Sequence, residues 1–383
     1  MFQKSTTDLR RVIIIDVSHL FYKYAFGGAS SLSTTIMVDG VPKRVDTTIP
    51  AYTIKQIHRW SKFGSYPTAV CFDCQGSTKS RKAYLLKWKA EHADSDVAKN
   101  ISEYKEGRQS NDSRFYEGIN MTMNLLHDGG VCVLKADGYE ADDLVKAALD
   151  KAKIQYPDLP IDIITGDADL LPLVDEQVSV FYKSVKSTWA ESPELEKRGY
   201  IQVTPYNYQE VIEDMTKFKK LTVPYNSILL AKMLRGDDAD KVPGFKGMTP
   251  TKYRKLIADM QEHGHDFSTL FRYDAPTSTI CYRGTEQPIP EELIESTPRE
   301  QKMIKYGEPP ALTKICEVMR EFVSEDVIDH IKFTYNYMNL NGAYTGLADG
   351  LNRRPAVITA DINPYSAGVL QQKVSLLQIN LPF

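Results

Sequence analysis

Cysteine is scarce in this chain, and its placement excludes more than its number does. Five cysteines occur among 383 residues. Only Cys71 and Cys74 share a C-x-x-C spacing, and no second Cys or His pair lies near enough to complete a zinc site. An odd, sparse set is not the framework of a disulfide-stapled secreted domain. Long apolar runs are also missing: none approaches the roughly 20 residues that a membrane span requires. The first eleven residues are polar and lead at once into an apolar, strand-like run, so no secretory signal is read and a reducing, cytoplasmic setting without membrane attachment is expected. An excess of one charge is lacking too. The net charge of -3 argues neither for nor against a polyanionic partner. No internal repeat is visible. What remains is an ordinary globular composition, 42% hydrophobic and 25% charged, in a chain long enough for two or three domains.

Strand and helix patterns alternate through the first half. Residues 12–16, 68–72, 131–134, 161–165 and 178–182 read as strands, and 49–63, 113–126 and 141–154 carry helical spacing. The run Val12-Ile13-Ile14-Ile15 is apolar at every position, as in a strand buried on both faces. This alternation predicts an α/β fold with a mainly parallel central sheet flanked by helices. Beyond Thr204-Pro205 the chain reads as helical, then as helix, glycine-rich hairpin and helix from about 226, the last starting near Thr249-Pro250. Residues 312–322 and 327–333 read as helices, and 335–355 as loop.

Acids stand where the parallel strands should end. Asp16 and Asp73 close the first two strands, and Asp167 and Asp169 follow 161–165. Gly138-Tyr139-Glu140-Ala141-Asp142-Asp143 lies between them, and Gly236-Asp237-Asp238-Ala239-Asp240 comes later. Singly, such residues serve as helix caps, favour a helix N-terminus or occupy turns. Jointly they form a cluster that needs cations, because two unit charges at ~4 Å repel by roughly 4 kcal/mol even at an effective dielectric of about 20. Hard oxygen donors in this number suit Mg²⁺ or Mn²⁺ rather than zinc, and a two-metal phosphoryl-transfer site explains the set.

The ordered series Asp16, Phe72-Asp73, Tyr104-Lys105-x-x-Arg108, Glu140-x-Asp142-Asp143, Gly166-Asp167-x-Asp169 and Gly236-Asp237-x-x-Asp240 resembles the flap endonuclease/5′-3′ exonuclease superfamily. It is most similar to stand-alone bacteriophage 5′ nucleases and to the 5′-nuclease domain of bacterial DNA polymerase I. The likeness spans roughly residues 12–260. It implies a PIN-like nuclease domain over 1–215 with an arch region at about 75–110, a helix-hairpin-helix-type duplex-binding module over 216–274, and a C-terminal extension over 275–383. It further implies a monomeric, two-metal nuclease acting on DNA flaps, nicks and free 5′ ends, including RNA/DNA primers, in replication or repair.

The resemblance carries nine metal ligands onto this chain: Asp16, Asp73, Glu140 and Asp142 for one ion, and Asp143, Asp167, Asp169, Asp237 and Asp240 for the other. Lys105 and Arg108 would hold the scissile phosphate, with Lys23 nearby, and Tyr104 would stack on a base. In the arch, Arg81, Lys82, Lys87 and Lys89 interleave with Tyr84 and Trp88, as single-strand binding favours; a solvated helix face is the other reading. Gly244, Lys246 and Gly247, with Lys252, would grip duplex backbone, and the likeness implies a monovalent cation such as K⁺ there. Thr249 and Lys241 depart from the usual glycine and asparagine. The segment Gln378-Ile379-Asn380-Leu381-Pro382-Phe383 is similar to the bacterial sliding-clamp-binding hexapeptide. Gln378, Ile379, Leu381 and Phe383 would then dock an extended tail on a clamp, the other reading being a tail packed on its own domain. Rival classes are a PIN-type ribonuclease, which leaves Asp237-x-x-Asp240 unexplained, and a non-catalytic DNA-binding protein, which would not need every acid. A HAD-like phosphatase needs Asp-x-Asp after the first strand, where this chain reads Asp16-Val17-Ser18.

Overall fold

The run at 12–16 becomes β1 (Val12–Asp16), buried along its whole length. Such a strand belongs in the middle of a sheet, and it lies there. The computed structural model describes residues 11–27, 29–73, 77–94, 98–99, 113–136, 138–183, 199–214, 221–225, 227–237, 241–267, 278–282, 285–287, 303–306, 310–338, 358 and 360–382. Its main sheet has the order β5-β4-β1-β6-β7-β8, with β4 at Thr68–Cys71, β5 at Cys132–Leu134, β6 at Ile161–Thr165, β7 at Val178–Lys183 and β8 at Tyr200–Val203. All pairings are parallel except that of β7 with β8. From β1 the chain builds outward to β4 and β5, then returns to the other side of β1 for β6 and β7. The strand order therefore reverses at β1, and the carboxyl ends there form the crevice where open α/β sheets bind ligands.

Contacts divide the chain into two units. The first comprises residues 1–77, 107–207 and 357–383, and the second 78–106 and 208–356. The segment 78–106 packs with the second unit, and the chain beyond 357 returns to the first.

In the first unit, α1 (Ser18–Phe26), α2 (Thr48–Trp60) and α4 (Ser113–Asp128) share one core with Ile13 and Ile15 of β1, and Val12 and Ile14 are left to the opposite face. α5 (Ala141–Gln155) lies against β1, β4 and β6. A hairpin of β2 (Ser33–Val38) and β3 (Val41–Asp46), unforeseen from sequence, precedes α2.

The second unit contains α3 (Lys79–Glu91), α6 (Tyr208–Asp214), α7 (Ile228–Arg235), α8 (Pro250–Glu262), α9 (Pro310–Met319) and α10 (Glu325–Met338), with a small antiparallel sheet of β9 (Ser278–Tyr282), β10 (Thr285–Gln287) and β11 (Met303–Tyr306). The pattern read as loop from 335 is still helical to Met338, where Tyr335 and Tyr337 are buried. Among the described residues no helix is long and apolar enough to cross a membrane.

The last helix, α11 (Ala367–Ser375), packs on α4. The chain beyond it runs with alternate residues turned inward: Leu377, Ile379 and Leu381 are buried, and Gln378 and Asn380 are exposed. Gln371 braces this run. Its Nε2 donates to the Ile379 carbonyl at 3.1 Å, and its Oε1 accepts from the Leu381 N–H at 2.8 Å. Of the two readings of the hexapeptide, the described residues follow that of a tail packed on its own domain, with Ile379 and Leu381 in the core of the first unit. Phe383 lies outside the described residues.

Candidate functional site

Three acids reach the crevice because three adjacent strands end there in step. The register sets Asp16 opposite Cys71, with Asp73 two residues further on, and β6 runs beside β1 so that Asp167 follows just beyond its end. Asp16 is buried, and its Oδ2 accepts from the Thr165 hydroxyl at 2.8 Å and its Oδ1 from the Ser18 N–H at 3.1 Å. Its pKa is raised to about 7 by burial first, then by the negative charges of Asp73 and, more weakly, Asp167, against the two hydrogen bonds. The same surroundings push the buried Cys71 thiol up.

Asp73 links β4 to α5. Its Oδ2 accepts from the Ser18 hydroxyl at 2.9 Å and its Oδ1 from the Ala141 N–H at 2.8 Å. The start of α5, with Glu140, Asp142 and Asp143, is thereby held beside Asp73. Capping also operates here: Asp143 Oδ2 reaches back to the Glu140 N–H at 3.0 Å, and Asp142 Oδ1 accepts from the Asp143 N–H at 2.8 Å. Asp167 caps the short 3-10 turn that follows it, its Oδ1 accepting from the Asp169 N–H at 2.9 Å. The plain roles and the electrostatic cluster therefore coexist. Asp73 and Asp167 are exposed, Asp142 and Asp169 half-buried, and Glu140 and Asp143 buried.

Among the described residues no three Asp, Glu, His or Cys side chains stand as a finished cage for an ion. The donor chemistry still fits hard divalent cations. Every donor is a carboxylate oxygen, the ligand type such cations favour.

Other expected residues fall differently. Tyr104, Lys105, Arg108 and Asp240 lie outside the described residues. Asp237 lies in the second unit and is buried in an ion pair with Lys232, 2.8 Å away. Arg81 is not an exposed DNA ligand: it is buried with Tyr84 and Leu85 on one face of α3, and Trp88 is half-covered there. Lys79, Lys82 and Lys89 lie on the opposite face with exposed Leu86, and Lys87 is 3.8 Å from Glu91. Lys23 is exposed, with its Nζ 5.1 Å from the centre of the Tyr24 ring.

One basic residue was missed. Lys183, at the carboxyl end of β7, has its Nζ 5.1 Å from the centre of the Tyr200 ring. Burial, then Lys23, holds its pKa below the usual lysine value. Tyr200 donates or accepts across 2.6 Å to His19 Nε2, and burial holds His19 neutral with a pKa of about 3. A lysine just after the strand read at 178–182 was the available signal. A cavity of about 280 Å³ lined by Tyr24, Phe26, Asp46, Arg114 and Phe115 opens elsewhere in the first unit, and none of the nine acids lines it.

The glycine hairpin has a defined shape. Asp237 and Val242 exchange both backbone hydrogen bonds at 2.9 Å, and the Phe245 N–H donates to the Leu234 carbonyl at 2.9 Å. Gly236 has φ +79°, and a Cβ there would lie 2.5 Å from the Gly244 nitrogen. One at Gly244 would lie 2.5 Å from the Arg235 carbonyl oxygen, so the two strands of the turn touch through glycines. Thr249 caps α8, its Oγ1 accepting from the Lys252 N–H, and Lys246, Lys252, Arg254 and Lys255 are exposed around it.

Residues 11–199 match the family model described as the 5′-3′ exonuclease, N-terminal resolvase-like domain. DNA polymerase I of Mycobacterium bovis is 31% identical over 158 residues, 41% of this chain and 15% of the polymerase. A 5′-3′ exonuclease of Mycoplasma pneumoniae is 30% identical over 179 residues, 47% of this chain and 55% of that protein. The chain thus spans only part of these relatives. A solved T5 5′-exonuclease, described with bound zinc, is 14% identical with a TM-score of 0.48, covering 97% of this chain and 99% of that one.

Proposed function

Residues 11–199 belong to the 5′-3′ exonuclease N-terminal, resolvase-like domain family, and on that premise we propose that the protein is a divalent-metal-dependent 5′ nuclease that hydrolyses DNA phosphodiesters at free 5′ ends, nicks and flaps. The observation that carries the reading is the joining of Asp16, Asp73 and the Glu140-Ala-Asp-Asp turn at the reversal point of the sheet, with Asp167 beside them. Mg²⁺ or Mn²⁺ held by these carboxylates would supply the positive charge that activates water and stabilises a phosphoryl transition state. The chain's own share is positional. Ser18 and Thr165 orient Asp16, the Asp73–Ala141 hydrogen bond fixes the start of α5 to β4, and Lys183 with Lys23 brings positive charge to the sheet end. Lys105 and Arg108 are read as the scissile-phosphate clamp and Tyr104 as a stacking face. Asp237 and Asp240 are acids of the second unit that the resemblance reads as ligands, and Asp237 is paired there with Lys232.

The turn between α7 and α8, with Gly244, Lys246, Gly247 and Lys252, is read as the duplex grip, where phosphate contacts position without reading sequence. K⁺ at its carbonyls and primer removal in replication belong to the same reading. Clamp docking through 378–383 requires Ile379 and Leu381 to leave the core. The decisive assay is cleavage of matched 5′-flap, nicked-duplex and single-stranded DNA with Mg²⁺, Mn²⁺ or EDTA. Cleavage should need the metal and release products from the 5′ side, and Asp142→Asn or Asp167→Asn should lower the rate by at least about 100-fold. Near-full activity of either variant, or activity in EDTA, refutes the reading.

A further inference from the structure

Helix α10 comes from the part of the chain whose role the sequence leaves blank, yet one face of it touches both nucleic-acid candidates of the second unit. Near its middle, His330 is buried, its Nε2 3.0 Å from the Met233 carbonyl of α7. The same ring stands edge-to-face on Phe245 of the glycine hairpin, centroids 5.5 Å apart. One turn on, Phe333 is buried with its ring 4.0 Å from that of Trp88 on α3. A further turn on, Tyr337 stacks on Tyr84 of α3 at 6.3 Å. Positions 330, 333 and 337 share one helical face and span about 10 Å along the axis. α3 meets this face with Tyr84 and Trp88, which leaves its Lys79, Lys82 and Lys89 face turned away.

We propose that α10 is a positioning element: through His330 and Phe333 it sets the basic face of α3 at a fixed offset from the hairpin, so that duplex on the hairpin and single strand on α3 bind as one junction. This rests on the reading of the hairpin as the duplex grip. Interlocked aromatic rings transmit displacement because packed interiors deform little. Seating duplex on Phe245's turn therefore orders α3, and by linkage a strand bound on α3 raises duplex affinity by the same factor.

Amide hydrogen exchange of the full-length protein in EDTA tests this, with a blunt duplex as the probe and its binding followed separately by fluorescence anisotropy. In the wild type, duplex should slow exchange of α3 amides by about threefold or more. Phe333→Leu, which keeps most of the volume, should bind duplex equally well yet lose that slowing, and Phe333→Tyr should retain it. A Phe333→Ala variant that fails to fold leaves the Leu and Tyr pair decisive. Duplex binding without any change in α3, or equal slowing in Phe333→Leu, overturns the proposal. Absence of duplex binding overturns the grip itself and the coupling with it.

Discussion

Truncating Ile379 to alanine should destabilise the first unit as strongly as truncating a residue of the central sheet. Ile379 is 3% exposed and Leu381 5% exposed, in one cluster with Leu370, Val374 and Leu377. Large-to-small changes at such positions cost about 2–5 kcal/mol, and the Gln371 brace leaves little room for the backbone to collapse into the gap. Ile379→Ala and Leu381→Ala together are expected to lose about 5 kcal/mol, a large part of the 5–15 kcal/mol typical of a folded domain. Asn380→Ala, between them and exposed, should stay within about 0.5 kcal/mol. Urea denaturation followed by far-UV circular dichroism reads all three. A midpoint for Ile379→Ala no lower than that of Asn380→Ala would refute the reasoning. The same figure bears on clamp docking. If the anchors must first unpack at about 5 kcal/mol, the full-length protein should bind a clamp roughly 10³–10⁴-fold more weakly than the free hexapeptide does.

Two further outcomes are expected. Arg11 Nη1 donates to Asp162 Oδ2 at 2.6 Å, and burial, offset by Arg11, raises the Asp162 pKa. Because the guanidinium is partly exposed, Arg11→Met should cost about 2–3 kcal/mol at pH 8, below the range for fully buried pairs. A carboxyl raised in the folded state takes its proton at higher pH than in the unfolded chain, so this deficit should shrink as urea midpoints are measured from pH 8 down to pH 5. A deficit that is constant or grows would contradict the pairing. Gly236→Ala, with its Cβ driven to 2.5 Å from the Gly244 nitrogen at φ +79°, should weaken blunt-duplex binding by about tenfold or more in an anisotropy titration. An unchanged affinity would separate the hairpin from duplex binding.

The parallel sheet was legible because short β-branched and apolar runs, uninterrupted in Val12-Ile13-Ile14-Ile15, alternate with longer segments of helical spacing. Positions 161–165 and the helix from 141 read correctly from that alternation. The nearness of Asp16, Asp73 and Asp167 was legible too, since residues just past strand ends converge whenever the strands are neighbours. What local pattern cannot carry is partnership over long separations. Tyr84 and Trp88 look like part of a nucleic-acid face until Phe333 of α10, more than 240 residues on, packs against them. The hairpin β2–β3 escaped because its apolar residues, Ile36, Met37, Val38, Val41 and Val45, do not alternate with polar ones at the period of a half-buried strand. Ile379 and Leu381 alternate with polar residues, which suits an external groove and an internal one equally.

The return of residues 358–382 to the first unit has a temporal consequence. Tyr365 places its hydroxyl 3.0 Å from His58 Nδ1 and 2.6 Å from Ser61 Oγ, and Gln155 and Tyr156 both bond the Ile362 carbonyl. None of these contacts can form until residues 208–338 have been synthesised. Translation therefore hands over a second unit whose residues are all in place while the first still lacks its closing segment. The sheet that carries the acids is the older part of the chain and the later part to finish.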